Sequence, residues 1–189
     1  MPIFRTPRPV RRAALLTSAI ALPLVLGACD DGGETVSSRT LPSATSPTTG
    51  DTRCRATELR ASVGRLDPGA GQKNFPVVLT NDSDRSCTLR GYPGAVFVDA
   101  SGERLGPAPK RSEASPTRVE LAPGNSAWAG LSFANPELSE ARTATPAELL
   151  VTPPDERDQL QVAWKAGAVP VGGNESSVFL TVFAPGAGP

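Results

Sequence analysis

At 189 residues, with 20 prolines, 18 glycines and no histidine, the chain has room for one typical domain and lacks the base that Ser-His-Asp and Cys-His catalysis need. Its formal charge is zero, but four of its 19 basic residues, Arg5, Arg8, Arg11 and Arg12, crowd the N-terminus; without them 15 basic residues face 19 acidic ones, a net charge of −4. That acidity offers no attraction to nucleic acid or to anionic lipid headgroups.

The four arginines precede an apolar run, Ala13–Leu26, which ends in Leu26-Gly27-Ala28-Cys29. Positive charge, a short greasy segment and small residues before a cysteine are the parts of a bacterial lipoprotein signal, in order. Residues 1–28 are then a cleaved leader, and Cys29 becomes a diacylglycerol-bearing N-terminus. A retained transmembrane helix is the competing reading. The stretch Ala13–Ala28 is broken by Pro23 and falls short of the roughly 20 residues that span a bilayer, whereas it suits the apolar core of a cleaved signal. Arg11-Arg12 leaves both the general and the twin-arginine export routes open.

Asp30–Arg53 reads DDGGETVSSRTLPSATSPTTGDTR, with almost no large apolar side chain and no period of 2 or 3.6. Such a stretch cannot offset its chain entropy by burial, so residues 29–53 are expected to form a flexible tether with a reach of roughly 25–30 Å. Its hydroxyls are possible O-glycosylation sites. Residues 54–189 are left as the folded domain. With Cys29 given to lipid, Cys54 and Cys87 remain as a pair in an oxidising compartment, where a disulfide is the expected fate. The alternative, two free thiols, has no histidine to activate a thiolate.

From Cys54 onward, short alternating runs are separated by turn residues. Leu59, Ala61 and Val63 alternate with polar neighbours, and Asp67-Pro68-Gly69 is expected to end that strand. Phe75-Pro76-Val77-Val78-Leu79 follows; its proline predicts an edge position or the strand start. Asn81-Asp82-Ser83-Asp84 is turn chemistry leading into Cys87-Thr88-Leu89. Ala95–Val98 runs into Asp99-Ala100-Ser101-Gly102, a tight hairpin signal. Arg118–Leu121 precedes the turn Ala122-Pro123-Gly124-Asn125. Ala127–Phe133 then alternates, with Trp128, Gly130 and Ser132 on one side and Ala129, Leu131 and Phe133 on the other. Asn135–Pro146 can hold one helical turn. Glu148–Val151, Leu160–Trp164 and Val178–Phe183 supply three more strands, and Ala184–Pro189 reads as a frayed tail. Eight or nine short strands without an amphipathic helix predict an all-β, antiparallel β-sandwich.

Several of these segments carry a family resemblance. Cys54, Phe75-Pro76-Val77-Val78-Leu79-Thr80-Asn81, Cys87-Thr88-Leu89-Arg90-Gly91-Tyr92-Pro93-Gly94, Val98-Asp99-Ala100-Ser101-Gly102 and Leu121-Ala122-Pro123-Gly124 together resemble the actinobacterial family catalogued as domain of unknown function DUF4232. The resemblance covers about Cys54–Phe183 and is most specific around Cys87. It implies an extracytoplasmic, immunoglobulin-like β domain, common in tethered lipoproteins, and no known activity. It also implies a second cysteine pair in the C-terminal half; this chain has none there, which predicts a looser half.

The residues that could carry chemistry are few. Ala70, Pro107 and Val162 stand three residues before Lys73, Lys110 and Lys165, so no Ser-x-x-Lys nucleophile exists, and no phosphate-binding loop ends in Gly-Lys. Carboxylates sit in turns, as in Asp82 and Asp84 or Asp155, Glu156 and Asp158, where solvated charge is the expected reading and a glycosidase-like pair the alternative. Asn81-Asp82-Ser83-Asp84 could offer oxygens to calcium, but it lacks the glycine and distal glutamate of an EF-hand and is read as a capped turn. Trp128 is read as a core tryptophan near the disulfide, against the alternative of an exposed ring that stacks on a sugar. The Tyr92 hydroxyl is expected to bond nearby backbone, Lys110-Arg111 to be a solvated loop spot, and the glycosylation-like Asn81-Asp82-Ser83 and Asn174-Glu175-Ser176 to stay bare.

The expected protein is therefore a non-enzymatic lipoprotein, held at the outer face of the cytoplasmic membrane through the lipid on Cys29. Its β-sandwich acts as a binding module for an envelope protein or a cell-wall glycan, with no catalytic residue, cofactor, metal site or nucleic-acid partner. A carboxylate-based hydrolase of wall polymer and a passive structural role are the alternatives.

Overall fold

The computed structural model describes residues 52–189; the expected leader, the expected lipidation site Cys29 and the expected tether as far as Asp51 lie outside the described residues. A single 3-10 turn, Ala56–Glu58, precedes fifteen strand segments. In the first half these are β1 (Leu59–Val63), β2 (Asp67–Gly69), β3 (Gln72–Asn81), β4 (Cys87–Arg90), β5 (Gly94–Val98), β6 (Arg104–Leu105), β7 (Lys110–Arg111) and β8 (Arg118–Leu121). The second half holds β9 (Ser126–Ala134), β10 (Arg142–Ala144), β11 (Glu148–Thr152), β12 (Leu160–Ala163), β13 (Val169–Gly172), β14 (Val178–Leu180) and β15 (Ala184–Pro185).

A seven-stranded sheet runs β1-β3-β9-β14-β7, with β2 added to β3 and β15 to β9. A four-stranded sheet runs β12-β11-β5-β6, and β4–β8 and β10–β13 form two ribbons. All pairings are antiparallel except β14 with β7. The expected all-β sandwich is present, with more and shorter strands than the alternation announces. Cys54 and Cys87 are joined by a disulfide, and both are 1% exposed.

The two main sheets meet through four aromatic rings. Phe75 of β3 and Phe133 of β9 stack at 5.9 Å, Trp164 stands edge-on to Phe75 at 5.2 Å, and Phe97 of β5 meets Trp164 at 4.9 Å and Phe133 at 6.5 Å. Edge-to-face packing adds to the burial of four large apolar surfaces. β9 shows why the sequence was readable there: Ala127, Ala129, Leu131 and Phe133 are buried, and Trp128, Gly130 and Ser132 between them are half-buried on the other face. The period of 2 is the signature of a strand with one face in the core.

Four local expectations are corrected. Pro76 is neither at an edge nor at a start: it is the fifth residue of β3, between β9 and β1. The Gly64 N–H donates to the Pro76 carbonyl at 2.8 Å, so the missing proline N–H faces the same side, where the chain loops out between β1 and β2 and no ladder donor is wanted. Asp67-Pro68-Gly69 is strand β2 rather than a terminating turn; the turn falls at Ala70-Gly71, where Gly71 has φ +72°. Lys110-Arg111 is strand β7, paired with β14. The tail is tied down, with Ala184 opposite Trp128, Pro185 opposite Ala127 and the Gly186 N–H bonded to the Ser126 carbonyl at 2.9 Å.

Other turns match the residues that announce them. Asp99 Oδ1 accepts from the Ser101 N–H, the Ser101 hydroxyl and the Glu103 N–H, closing the β5–β6 hairpin. Asn135–Ser139 makes one turn, with Leu138 and Ser139 N–H groups on the Asn135 carbonyl. Asn81 is fully buried: its amide donates to the Arg85 and Leu121 carbonyls at 2.8 and 2.9 Å, and its oxygen accepts from the Ser83 N–H and hydroxyl. One side chain thus pins the β3–β4 loop to the end of β8.

Candidate functional site

The chain between β1 and β2, Gly64-Arg65-Leu66, is a ridge with a hollow on each side. Toward the open end of the sandwich lies a cleft of about 600 Å³, floored by Phe75 and Trp164 and rimmed by Arg65, Leu66, Lys73, Glu137 and Lys165. Trp164 is held in place by its indole N–H, which donates to the Gly167 carbonyl at 2.8 Å. On the outer face of the seven-stranded sheet lies a smaller hollow of about 200 Å³, lined by Trp128, Asn74, Asp67, Ser132 and Thr181. A third hollow of about 430 Å³ shares Gly64, Arg65 and Leu66 with the first and Asp67, Pro76 and Pro189 with the second. The three are neighbours, with the Gly64–Leu66 ridge and the residues Pro76 and Pro189 as their shared walls.

Glycines shape both ends. A Cβ on Gly64 would stand 2.5 Å from Pro76 Cγ, so only glycine lets the ridge lie against β3. On β9, the Trp128 ring extends over Gly130: its Cζ3 lies 3.8 Å from where a Gly130 Cβ would stand, and the Thr181 methyl lies 3.3 Å from the same point. The indole therefore lies along the sheet, half-buried, with Asn74 and Ser132 directly opposite each other beyond it.

The cleft's electrostatics are cationic. Arg65, Lys73 and Lys165 border it against one lining carboxylate, Glu137, which pairs with Lys73 at 3.3 Å. The Lys73 side chain is 18% exposed, while Glu137 is 77% exposed. The carboxyls with displaced pKa values stand outside the cleft. Glu58 is held below its usual value chiefly by its hydrogen bonds from Arg85, and Asp99 by the Ser101 hydroxyl and the Glu103 N–H. Both are structural, one bracing the first turn and the other closing a hairpin.

The residues weighed from sequence distribute themselves plainly. Trp128 is not the core tryptophan; Trp164 takes that place, packed on Phe75 and Phe97, because Trp128 falls on the outward phase of β9. Three of the four Asn81–Asp84 side chains are committed elsewhere: Asn81 and Ser83 to their own loop and Asp82 to Arg60 at 3.2 Å. Among the described residues no group of three Cys, Asp or Glu side chains is placed to hold a metal. Of the second acidic run, Glu156 accepts from the Ala56 N–H and the Asp155 carbonyl from Arg53. The Tyr92 hydroxyl donates to backbone as expected, with the Ser112 and Ala114 carbonyls at 2.6 and 3.0 Å. Lys110 and Arg111 are exposed, as expected; Lys110 bonds Ser177 and lies 5.9 Å from the Phe179 ring centre, and Arg111 lies over Tyr92.

Arg65, Lys73, Glu137 and Lys165 were not singled out by sequence reasoning. They come from four separated segments and share no spacing. The chain matches no curated protein. Its cysteine-centred segment, its sandwich and its outward Trp128 belong to one stretch that a family covers: residues 54–182 match the family described as Domain of unknown function (DUF4232), and the chain belongs to that family.

Proposed function

We propose that the protein is an extracytoplasmic, non-catalytic binding module, carried on the outer face of the cytoplasmic membrane by a lipid on Cys29, and that its ligand lies along the path around Gly64–Leu66. The observation that carries this reading is the adjacency of the three hollows, which share lining residues in sequence and have a tryptophan lining each of the two outer ones. A path of this kind suits an extended partner better than a compact metabolite, which would fill one enclosed pocket. Two carboxylates line the three hollows, Glu137 in the larger cleft and Asp67 in the other two. Glu137 is committed to Lys73 and the two share no hollow, and this favours binding over hydrolysis, which needs two carboxylates in concert.

The reading is tested in intact cells with a photoreactive residue in place of Leu66, which is 45% exposed on the ridge. Crosslinking to an envelope component is expected there, and not from the same residue at Glu103 on the β5–β6 hairpin. Equal yields at both positions would remove the cleft from consideration. The anchor is tested separately: Cys29→Ser should shift the protein from the membrane fraction to the soluble one or leave an unprocessed precursor. A processed, membrane-bound serine variant would contradict it.

A further inference from the structure

We infer that the occupant of this path is a sugar chain bearing anionic substituents, carboxylate or phosphate, with one ring on Trp128 and its charges on Arg65 and Lys165. This rests on the binding-module reading and adds the chemistry of the ligand. Three observations converge on it. First, the Trp128 ring reaches along the outer face of β9 toward Gly130, its Cζ3 3.8 Å from where a Cβ there would stand. A flat, half-buried indole accepts the C–H face of a sugar ring, burying apolar surface without asking for a hydrogen bond. Second, the hollow beside it holds about 200 Å³, the scale of a single ring, and its walls carry the Asn74 amide and the Ser132 hydroxyl. The Asn74 Nδ2 is spent on the Asp67 carbonyl at 3.1 Å, which leaves its oxygen as an acceptor for sugar hydroxyls.

Third, charge is distributed unlike the rest of the domain. Beyond the ridge the cleft gathers three cations against one carboxylate, while the chain after its arginine-rich start holds more acidic than basic residues. With Lys73 held by Glu137, Arg65 and Lys165 are the exposed cations of this rim. A planar guanidinium binds carboxylate and phosphate through paired hydrogen bonds, so both substituents fit. Neutral sugar chains would leave that end of the path unused, and nucleic acid would meet an acidic domain.

The chain has two tryptophans, which makes the test direct. Full-length protein in detergent is titrated with a galacturonate hexamer, with a phosphorylated mannan fragment and with a neutral mannan hexamer, following tryptophan fluorescence and calorimetry. Quenching by at least one anionic probe is expected in the parent protein and in Trp164→Phe, and no quenching in Trp128→Phe, whose folding the retained ring protects. Arg65→Ala with Lys165→Ala should weaken the anionic probe at least tenfold, and added salt should weaken it further. The neutral hexamer should bind at least tenfold more weakly; the two anionic probes decide between carboxylate and phosphate. No binding of either anionic probe, equal binding of the neutral one, or quenching that survives Trp128→Phe would overturn the inference. A protein crosslinked at Leu66 with no response to either anionic probe would sink the ligand class alone; equal crosslinking at Leu66 and Glu103 would sink the reading beneath it.

Discussion

Replacing Asn81 by alanine would strip the Leu121 carbonyl of its amide donor, the Arg85 carbonyl of one of its two side-chain donors and the Ser83 N–H of its acceptor in one step, leaving the Ser83 hydroxyl only the Arg85 carbonyl. Unpaired buried polar groups cost about 1–3 kcal/mol each, so Asn81→Ala should lose about 2–4 kcal/mol of stability, read as a lower urea midpoint. Asn81→Asp should fare no better, since a carboxylate brings no donor and a buried charge. At the surface the effects are pH-dependent. The Glu58 carboxyl is ionised more readily in the fold than in the open chain, chiefly through its hydrogen bonds from Arg85. A depressed folded value means that this contribution is complete above the ordinary glutamate range and is lost as pH falls below that range through the folded value. Melting temperatures measured from about pH 6 to about pH 3 should fall less steeply for Glu58→Gln than for the parent. Asn81 was legible as turn chemistry; its role as a buried clamp was not, because Leu121, its second acceptor, lies 40 positions away.

Strands announced themselves where one face is buried and one is wet. β9 alternates without a break and its two faces were read residue for residue, yet Trp128, expected in the core, lies on the outward face with Gly130 and Ser132. β3 was harder. Phe75 through Leu79 are all buried, since β9 and β1 flank the strand and its outer face carries Trp128, opposite Val78, and the tail at Gly188, where an added Cβ would stand 3.6 Å from Pro76 Cγ. A proline in such a strand signals an edge, and only the loop at Gly64–Leu66 makes it admissible in a central one. β7, β13 and β15 were missed for a related reason: two of them carry a proline or glycine, two are only two residues long, and each owes its existence to a partner far along the chain. The fit of ridge to strand is testable. Gly64→Ala sets a methyl 2.5 Å from Pro76 Cγ, a rigid ring that cannot step aside. It should cost about 1–3 kcal/mol by overpacking and should perturb Leu66 crosslinking along with stability. Gly71→Ala meets no atom within 4 Å, yet its φ of +72° penalises a side chain, so a smaller loss is expected there.

At the scale of the whole molecule, the architecture was visible in composition and turn spacing, and the site was not. Sheets are built from local alternation, whereas Arg65, Lys73, Glu137 and Lys165 meet only after four segments have been folded together. The same distinction governs the cysteines, whose pairing followed from compartment and number. The bond closes a span of 33 positions, and its removal by Cys54→Ser with Cys87→Ser should lower stability by up to about 4 kcal/mol in the chain-entropy picture, measured by chemical denaturation of the parent and the double variant. Thr52 and Cys54 would still bracket Thr88 through backbone bonds of 2.8 and 3.0 Å, so the arm should stay seated while the fold softens.

That staple also decides how the domain meets mechanical load. Tension arriving along the backbone through Arg53 reaches Cys54 first, and the disulfide diverts it straight into Cys87 and β4. The intervening chain, with β1, the ridge, β2 and all of β3, is bypassed and cannot be unzipped from that end. A pull that would peel an ordinary first strand instead shears β4 against β8, leaving the cleft in shape while the domain is under strain.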